Sequence, residues 1–285
     1  MLKAPALIFG TLLLGLSACT TVYFENPVPR QGTEMTEIPA AWAGLYLAAP
    51  SADETATLTE QLLRQGFRLE RPAPTQLLVS TDYRIHERDL PLLRAELEKQ
   101  MQEGAIANFQ LTESMLLCTV RSDGREEQQY TALVKQGAWY VLAQTAAPFQ
   151  FFDLSSKQQV EYELERNTRL EAGLLPEADS LRAQTAPLVA RQSGKGWYFN
   201  KKDAETGWWT LLYVEPAARG ELRVQMSNLS NPEAFKTRVD DFNRMTPFRK
   251  IDSDHYLIQP DDAALVRLLA TEGLFQTTRL LRIEE

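Results

Sequence analysis

Short apolar runs broken by Gly, Pro, Asn and Asp dominate the chain, and only three stretches switch to helical spacing. Met115 to Arg121, the turn Ser122-Asp123-Gly124, Gln128 to Val134, the turn Gln136-Gly137 and Trp139 to Ala143 predict three antiparallel strands. A second meander, denser in aromatics, is predicted over Gly196 to Lys201, Trp208 to Glu215 and Glu221 to Met226, with turns at Asp203 to Gly207 and Pro216 to Gly220. Trp42 to Leu47 predicts an entry strand. Asp89 to Gln102 predicts a helix, with Asp89 as N-cap, Pro91 in the first turn and Leu93, Leu97 and Met101 along one stripe. Asn231-Pro232-Glu233 opens a second helix carrying Phe235, Val239 and Phe242. Pro260-Asp261-Asp262 opens a third, faced by Leu265, Leu268 and Leu269 and closed by Gly273, before Thr277 to Ile283 returns as a strand. Thr55 to Glu70 and Gln158 to Leu170 fit helix or strand equally well. The expected fold class is α+β and β-rich: antiparallel meanders in two halves, residues 39–150 and 185–285, with a few peripheral helices.

The N-terminus follows a different rule. Lys3 precedes an uncharged apolar run from Ala4 to Leu16, about 13 residues, the length of a signal-peptide core and too short for a bilayer that needs about 20. Residues 1–18 therefore predict a removable signal. The run ends in Leu16-Ser17-Ala18-Cys19, which resembles the lipobox of bacterial lipoproteins. The resemblance implies a diacylglycerol on the Cys19 sulfur, cleavage before Cys19 and acylation of the new amine, so that Cys19 anchors the chain to a lipid bilayer. Two or three chains hold a protein stably where one binds marginally. Pro27, Pro29 and Gly32 with few aliphatic neighbours predict that residues 19–38 form an extended lipidated tether, along which Val22-Tyr23-Phe24 could rest at headgroup level.

Composition narrows the function classes. The chain has 285 residues, 44% hydrophobic and 24% charged, which is ordinary for a globular protein. A net charge of −8 gives no overall field for phosphate backbones, so no nucleic-acid partner is expected. With Cys19 acylated, Cys118 is the remaining thiol and no intramolecular disulfide can form. Cys118 sits in Met115-Leu116-Leu117-Cys118-Thr119-Val120 and reads as a small buried hydrophobe.

Further strings extend the likeness. Val22-Tyr23-Phe24-Glu25-Asn26-Pro27 after Cys19, Trp42-Ala43-Gly44-Leu45-Tyr46, Gly207-Trp208-Trp209 and Tyr256-Leu257-Ile258-Gln259-Pro260 resemble uncharacterised lipoproteins of the Bacteroidota. That group implies no activity. Its surface-exported members carry an acidic cluster just after the cysteine, and Thr20 to Phe24 has none, so the resemblance implies an outer-membrane anchor with the body in the periplasm.

No catalytic constellation stands out. His86 and His255 lie in no metal-ligand spacing, and Asp252-Ser253-Asp254 reads as a turn capping its own backbone. There is no P-loop, no complete dinucleotide fingerprint and no nucleophile elbow. Glu161, Glu163 and Glu165, or Glu126 and Glu127, could in principle pair for acid–base work but read as surface charge. Neither catalysis, metal nor cofactor is expected. The feature that rises above background is the aromatic run Trp197, Tyr198, Phe199, Trp208, Trp209 and Tyr213. Strand alternation sends neighbours to opposite faces, so the rings are either core or a platform for a glycan or lipid. Two functions follow: a non-catalytic envelope module that is structural or engages another envelope protein, or a glycan- or lipid-binding module using Trp197, Tyr198, Trp208, Trp209 and Tyr213.

Overall fold

The structure, a computed structural model, describes residues 20–49, 62–122, 125–143, 149–165 and 180–283. The signal and Cys19 lie outside the described residues, as do 55–61 and 166–170 of the two ambiguous stretches. The fold is β-rich α+β, as the periodicity predicts. In chain order the strands begin with β1 (Thr21–Phe24), β2 (Thr33–Glu34), β3 (Gly44–Ala48), β4 (Arg64–Glu70) and β5 (Gln76–His86). After helix α1 (Leu90–Gln102) come β6 (Ile106–Leu111), β7 (Met115–Ser122), β8 (Arg125–Gln136), β9 (Trp139–Ala143), β10 (Phe149–Asp153) and β11 (Gln158–Glu165). The chain continues through β12 (Ser180–Ser193), β13 (Gly196–Lys202), β14 (Trp209–Pro216) and β15 (Leu222–Leu229). Helix α2 (Pro232–Asn243), β16 (Arg249–Lys250), β17 (His255–Ile258), helix α3 (Asp262–Ala270) and β18 (Phe275–Ile283) complete it.

Hydrogen-bonded neighbours close on themselves. Antiparallel pairings run β3–β4–β5–β10–β11–β12–β13–β14–β15–β18 and back from β18 to β3, a barrel of ten strands. Closure removes the sheet edges that an open β-protein would have to protect. Strand β5 belongs to two structures: its first half pairs with β10, and Tyr83 to His86 pair with β9. From β9 a side sheet continues through β8 and β7 to β6. Strands from both halves build the one ring, with β3, β4, β5 and β10 completing what the second meander begins.

Three apolar clusters hold this together. The barrel's floor contains Tyr46, Leu69, Leu77, Phe152, Leu188, Phe199 and Leu280, with Met35, Ile38 and Trp42 crossing the end of the ring. Trp42 meets Trp197 edge-on at 4.9 Å between centroids. The side sheet buries Ile85, Leu116, Cys118, Leu133 and Leu142 against Leu93 and Leu97 of α1. Met101 is 40% exposed, so the stripe of α1 is shorter than its spacing predicts. Asp89 precedes α1 but its side chain makes no capping hydrogen bond, whereas Asn231 and Asp261 accept from Ala234 N and Ala264 N at 2.9 and 2.6 Å. The third cluster packs β1, β17, α2 and α3 on the outer face of β13 to β15, joining Val22 and Phe24 to Tyr198, Leu211, Tyr213, Phe235 and Leu268.

Residues 20–38 correct the expectation of a tether. Val22 and Phe24 are fully buried, and β1 runs parallel to β17 while meeting β14 and β15. Asn200 accepts from Val28 N at 2.9 Å and donates to Val28 O at 2.8 Å, and Arg191 Nη1 donates to the carbonyls of Pro27 and Pro29 at 3.0 and 2.6 Å. The prolines lack donors, but their carbonyls find a guanidinium, so a segment that composition marks as extended is stitched to the barrel wall. Val22-Tyr23-Phe24 accordingly pack inside the body.

Candidate functional site

Alternation and register decide what points into the barrel. Tyr46 stands opposite Phe67, Leu69 opposite Val79, and Val79 opposite Gln150. Gln150 stands opposite Glu161, Glu161 opposite Gln184, and Leu188 opposite Lys201. Across the next pairs, Lys201 faces Thr210, Leu212 faces Met226, and Met226 faces Gln276. All of these share the inner face, since side chains alternate with a period of two. The interior is graded. Its floor is the apolar cluster, against which the partly buried Phe67, Val79, Trp197, Leu212 and Val224 pack. Towards the opposite end the inward residues are Gln150, Glu161, Gln184, Lys201, Thr210, Gln276 and Met226.

Met226 points inward yet is 40% exposed, while Gln225 and Ser227 beside it, facing outward under α3, are 2% and 3% exposed. The outward side of β15 is covered, since Gln225 Nε2 donates to Leu269 O of α3 and Leu229 joins the outer cluster. Glu161 organises the polar band. Lys201 Nζ lies 3.0 Å from both its carboxylate oxygens, and Gln150 Nε2 and Gln159 Nε2 donate to Oε1 at 3.1 and 2.9 Å. The ion pair is part-exposed, with Lys201 at 29% and Glu161 at 22%, so its stabilisation is modest and its groups remain accessible to a ligand. The inner face thus joins a buried apolar cluster to a polar band around the Glu161–Lys201 ion pair. A sequence reading finds Glu161 but not its partner, because Lys201 comes from a strand two places round the barrel; period-two spacing of Gln159 and Glu161 was the available signal.

The aromatic run divides over three places. Trp197 and Phe199 reach the floor, Tyr198 and Tyr213 are buried against the outer cluster, and Trp208 and Trp209 stand half-buried at the mouth end. Trp208 lies 5.7 Å from Tyr23, and Lys202 sits 5.9 Å over Trp209. No single face presents all of them. Burial pushes the Tyr198 and Tyr213 hydroxyls above the ordinary phenol range.

The other candidate groups fall apart from the lumen. His86 stacks edge-on with Trp139 at 4.9 Å, and His255 Nδ1 lies 2.7 Å from Asp252 in the turn Asp252-Ser253-Asp254, where Asp254 N donates to Asp252 Oδ1 at 2.8 Å. The contact to His255 holds the Asp252 carboxyl below its ordinary range. Among the described residues no three His, Cys, Asp or Glu side chains come together as metal ligands. Burial pushes the Cys118 thiol up to about 11, leaving it protonated at neutral pH. Glu126 pairs with Arg121 at 3.2 Å; the side chains of Glu127, Glu163 and Glu165 lie outside the described residues. Among the described residues, grooves occur at the floor end, where Met35 and Leu188 line one, and beside β9. One, of about 230 Å³, lies beside Glu34, Lys157 and Arg191; the other, of about 280 Å³, is lined by Leu45, Arg68, Arg84 and Trp139. No described helix is long and apolar enough to cross a membrane. Comparison with known proteins found no matching family model, no matching curated protein and no matching solved structure.

Proposed function

We propose that the chain is a non-catalytic envelope lipoprotein, anchored through Cys19, whose barrel lumen binds a small amphiphilic molecule. The observation that carries the reading is that Met226 faces the barrel interior yet is 40% exposed, with the Glu161–Lys201 ion pair on the same inner face as the apolar cluster. The anchor rests on the lipobox and the location on the resemblance to Bacteroidota lipoproteins, with the body facing the periplasm from the outer membrane. Titrating the purified chain with a fluorescent single-chain fatty acid should give saturable binding of one molecule per chain. Met226→Arg, which places a long cation in the mouth, should weaken it at least several-fold. A linear, unsaturable signal refutes the lumen as a site.

A second reading, an interaction module for another envelope protein, rests on the uncovered face of the side sheet. There Tyr130 is 66% and Val134 46% exposed, with Leu117 opposite Tyr130 and Val141 opposite Val134. Monomeric proteins seldom leave such a contiguous apolar strip uncovered. Crosslinking in intact cells that maps to Tyr130 peptides, in a chain that binds no amphiphile, would favour it.

A further inference from the structure

The groove of about 280 Å³ lies where the outer face of the barrel meets the turn between β8 and β9, and its walls include Leu45, Arg68, Arg84, Trp139 and Ile283. The register of β4 on β5 places Arg64 opposite Arg84, Gly66 opposite Asp82 and Arg68 opposite Ser80, so alternation sends all six to one face of the sheet. Leu45 stands opposite both Arg68 and Ile283 and shares that face. Arg84 is a buried cation there. Its side chain is 2% exposed, and Asp82 holds it side-on, with Nε 2.9 Å from Oδ1 and Nη2 2.7 Å from Oδ2. The missing side chain at Gly66 makes the pair possible, because a Cβ there would collide with Asp82 Oδ1. A guanidinium carries five N–H donors, and side-on pairing uses Nε and one hydrogen of Nη2. The end-on fork, Nη1 with the second hydrogen of Nη2, has no further hydrogen-bond partner among the described residues.

We propose that this groove binds an organic carboxylate, whose two oxygens take the open fork of Arg84 while its apolar body lies against Leu45, Ile283 and the Trp139 ring. A guanidinium fork matches the two oxygens of a carboxylate in one plane. Burial without an acceptor for these donors is costly, and the ligand supplies that acceptor. Phosphate is the poorer fit, since its extra oxygens and charge need donors beyond one fork, and the apolar walls offer it nothing. Asp82 acts as a positioning residue: it fixes the plane of the guanidinium and leaves the fork aimed away from itself. The site depends neither on the anchor at Cys19 nor on the barrel interior.

The test titrates the isotopically labelled full chain with sodium hexanoate at constant ionic strength. Nuclear magnetic resonance follows the Arg84 Nε–H and Trp139 indole N–H signals, which Arg84→Lys and Trp139→Phe assign. Both should shift saturably and together. Hexanol, which has the apolar body without the charge, and inorganic phosphate, which has charge without the body, should each bind at least several-fold more weakly. Arg84→Lys keeps the charge but loses the fork, and should weaken hexanoate several-fold. Should that variant fail to fold, Trp139→Ala, which removes a wall and leaves the Asp82–Arg84 pair, should also weaken it several-fold. Shifts that stay linear, or phosphate binding as tightly as hexanoate, overturn the proposal. The sequence continues past Ile283 with Glu284 and Glu285, so a further arm uses the double variant Glu284→Gln, Glu285→Gln. It should bind hexanoate as the unsubstituted chain does. An Arg84 signal that moves in this variant before hexanoate is added, with no saturable shift in the unsubstituted chain, would mean the fork is filled by the chain's own carboxylates, and equally overturns the proposal.

Discussion

Replacing Asn200 by Ala tests whether the residues after Cys19 belong to the body. Asn200 is fully buried and makes three hydrogen bonds: it accepts from Val28 N at 2.9 Å and donates to Val28 O at 2.8 Å and to Val189 O at 3.1 Å. Truncation leaves the Val28 N–H and carbonyl without partners at a site that excludes water, and each unsatisfied group costs about 1–3 kcal/mol. The lost side chain leaves a small void on top of this. Some relaxation and water entry will recover part of the loss, so a net destabilisation of about 3 kcal/mol is expected. Urea unfolding of the mature chain followed by circular dichroism measures it; at a slope near 3 kcal/mol/M the midpoint should fall by about 1 M. Limited proteolysis supplies the local readout, since Arg30 should become a tryptic site in the variant before the barrel is cut. A change under about 0.5 kcal/mol, together with ready cleavage at Arg30 in the unsubstituted chain, would refute the stitched segment and restore the free tether.

Other substitutions probe the remaining clusters. A Cβ at Gly66 would stand 2.0 Å from Asp82 Oδ1 and 3.0 Å from Arg84 Nε, so Gly66→Ala should break the bidentate Asp82–Arg84 pair and strand a guanidinium that is 1% exposed, lowering stability by about 3 kcal/mol in the same urea assay. Trp42→Ala removes the ring that closes the floor against Trp197 and should cost about 3–5 kcal/mol while leaving the α1 side-sheet core intact, which amide exchange can separate. The Cys118 thiol, raised by burial from 9.0 to about 11, keeps its proton in the folded chain where the unfolded chain would lose it. Its contribution to stability is therefore complete below about pH 9 and declines as the pH rises towards 11; Cys118→Ala should flatten that alkaline decline, and iodoacetamide at pH 8 should modify Cys118 only after unfolding.

Local physics was legible along the chain. The turn residues at Gln136-Gly137 and Asp203 to Gly207, the caps Asn231 and Asp261, and the stripes Phe235–Phe242 and Leu265–Leu269 act within a few residues of themselves, and each stands where its spacing predicts. The resemblance of Leu16-Ser17-Ala18-Cys19 to a lipobox likewise lies in consecutive residues. Tertiary structure alone decided the rest. Alternation shows that Glu161 and Gln159 share a face of β11, but not whether that face is lumen or exterior, nor that Lys201 would meet it from two strands away. Strand β12, Ser180–Ser193, gave little signal of its own because Pro187 interrupts it where pairing passes from β11 to β13. Residues 20–38 read as tether because their partners, Asn200, Arg191 and β17, lie some 160 to 230 positions on. Ring closure between β18 and β3 joins the two ends of the chain, and such pairing depends on surfaces that exist only once the intervening strands have folded.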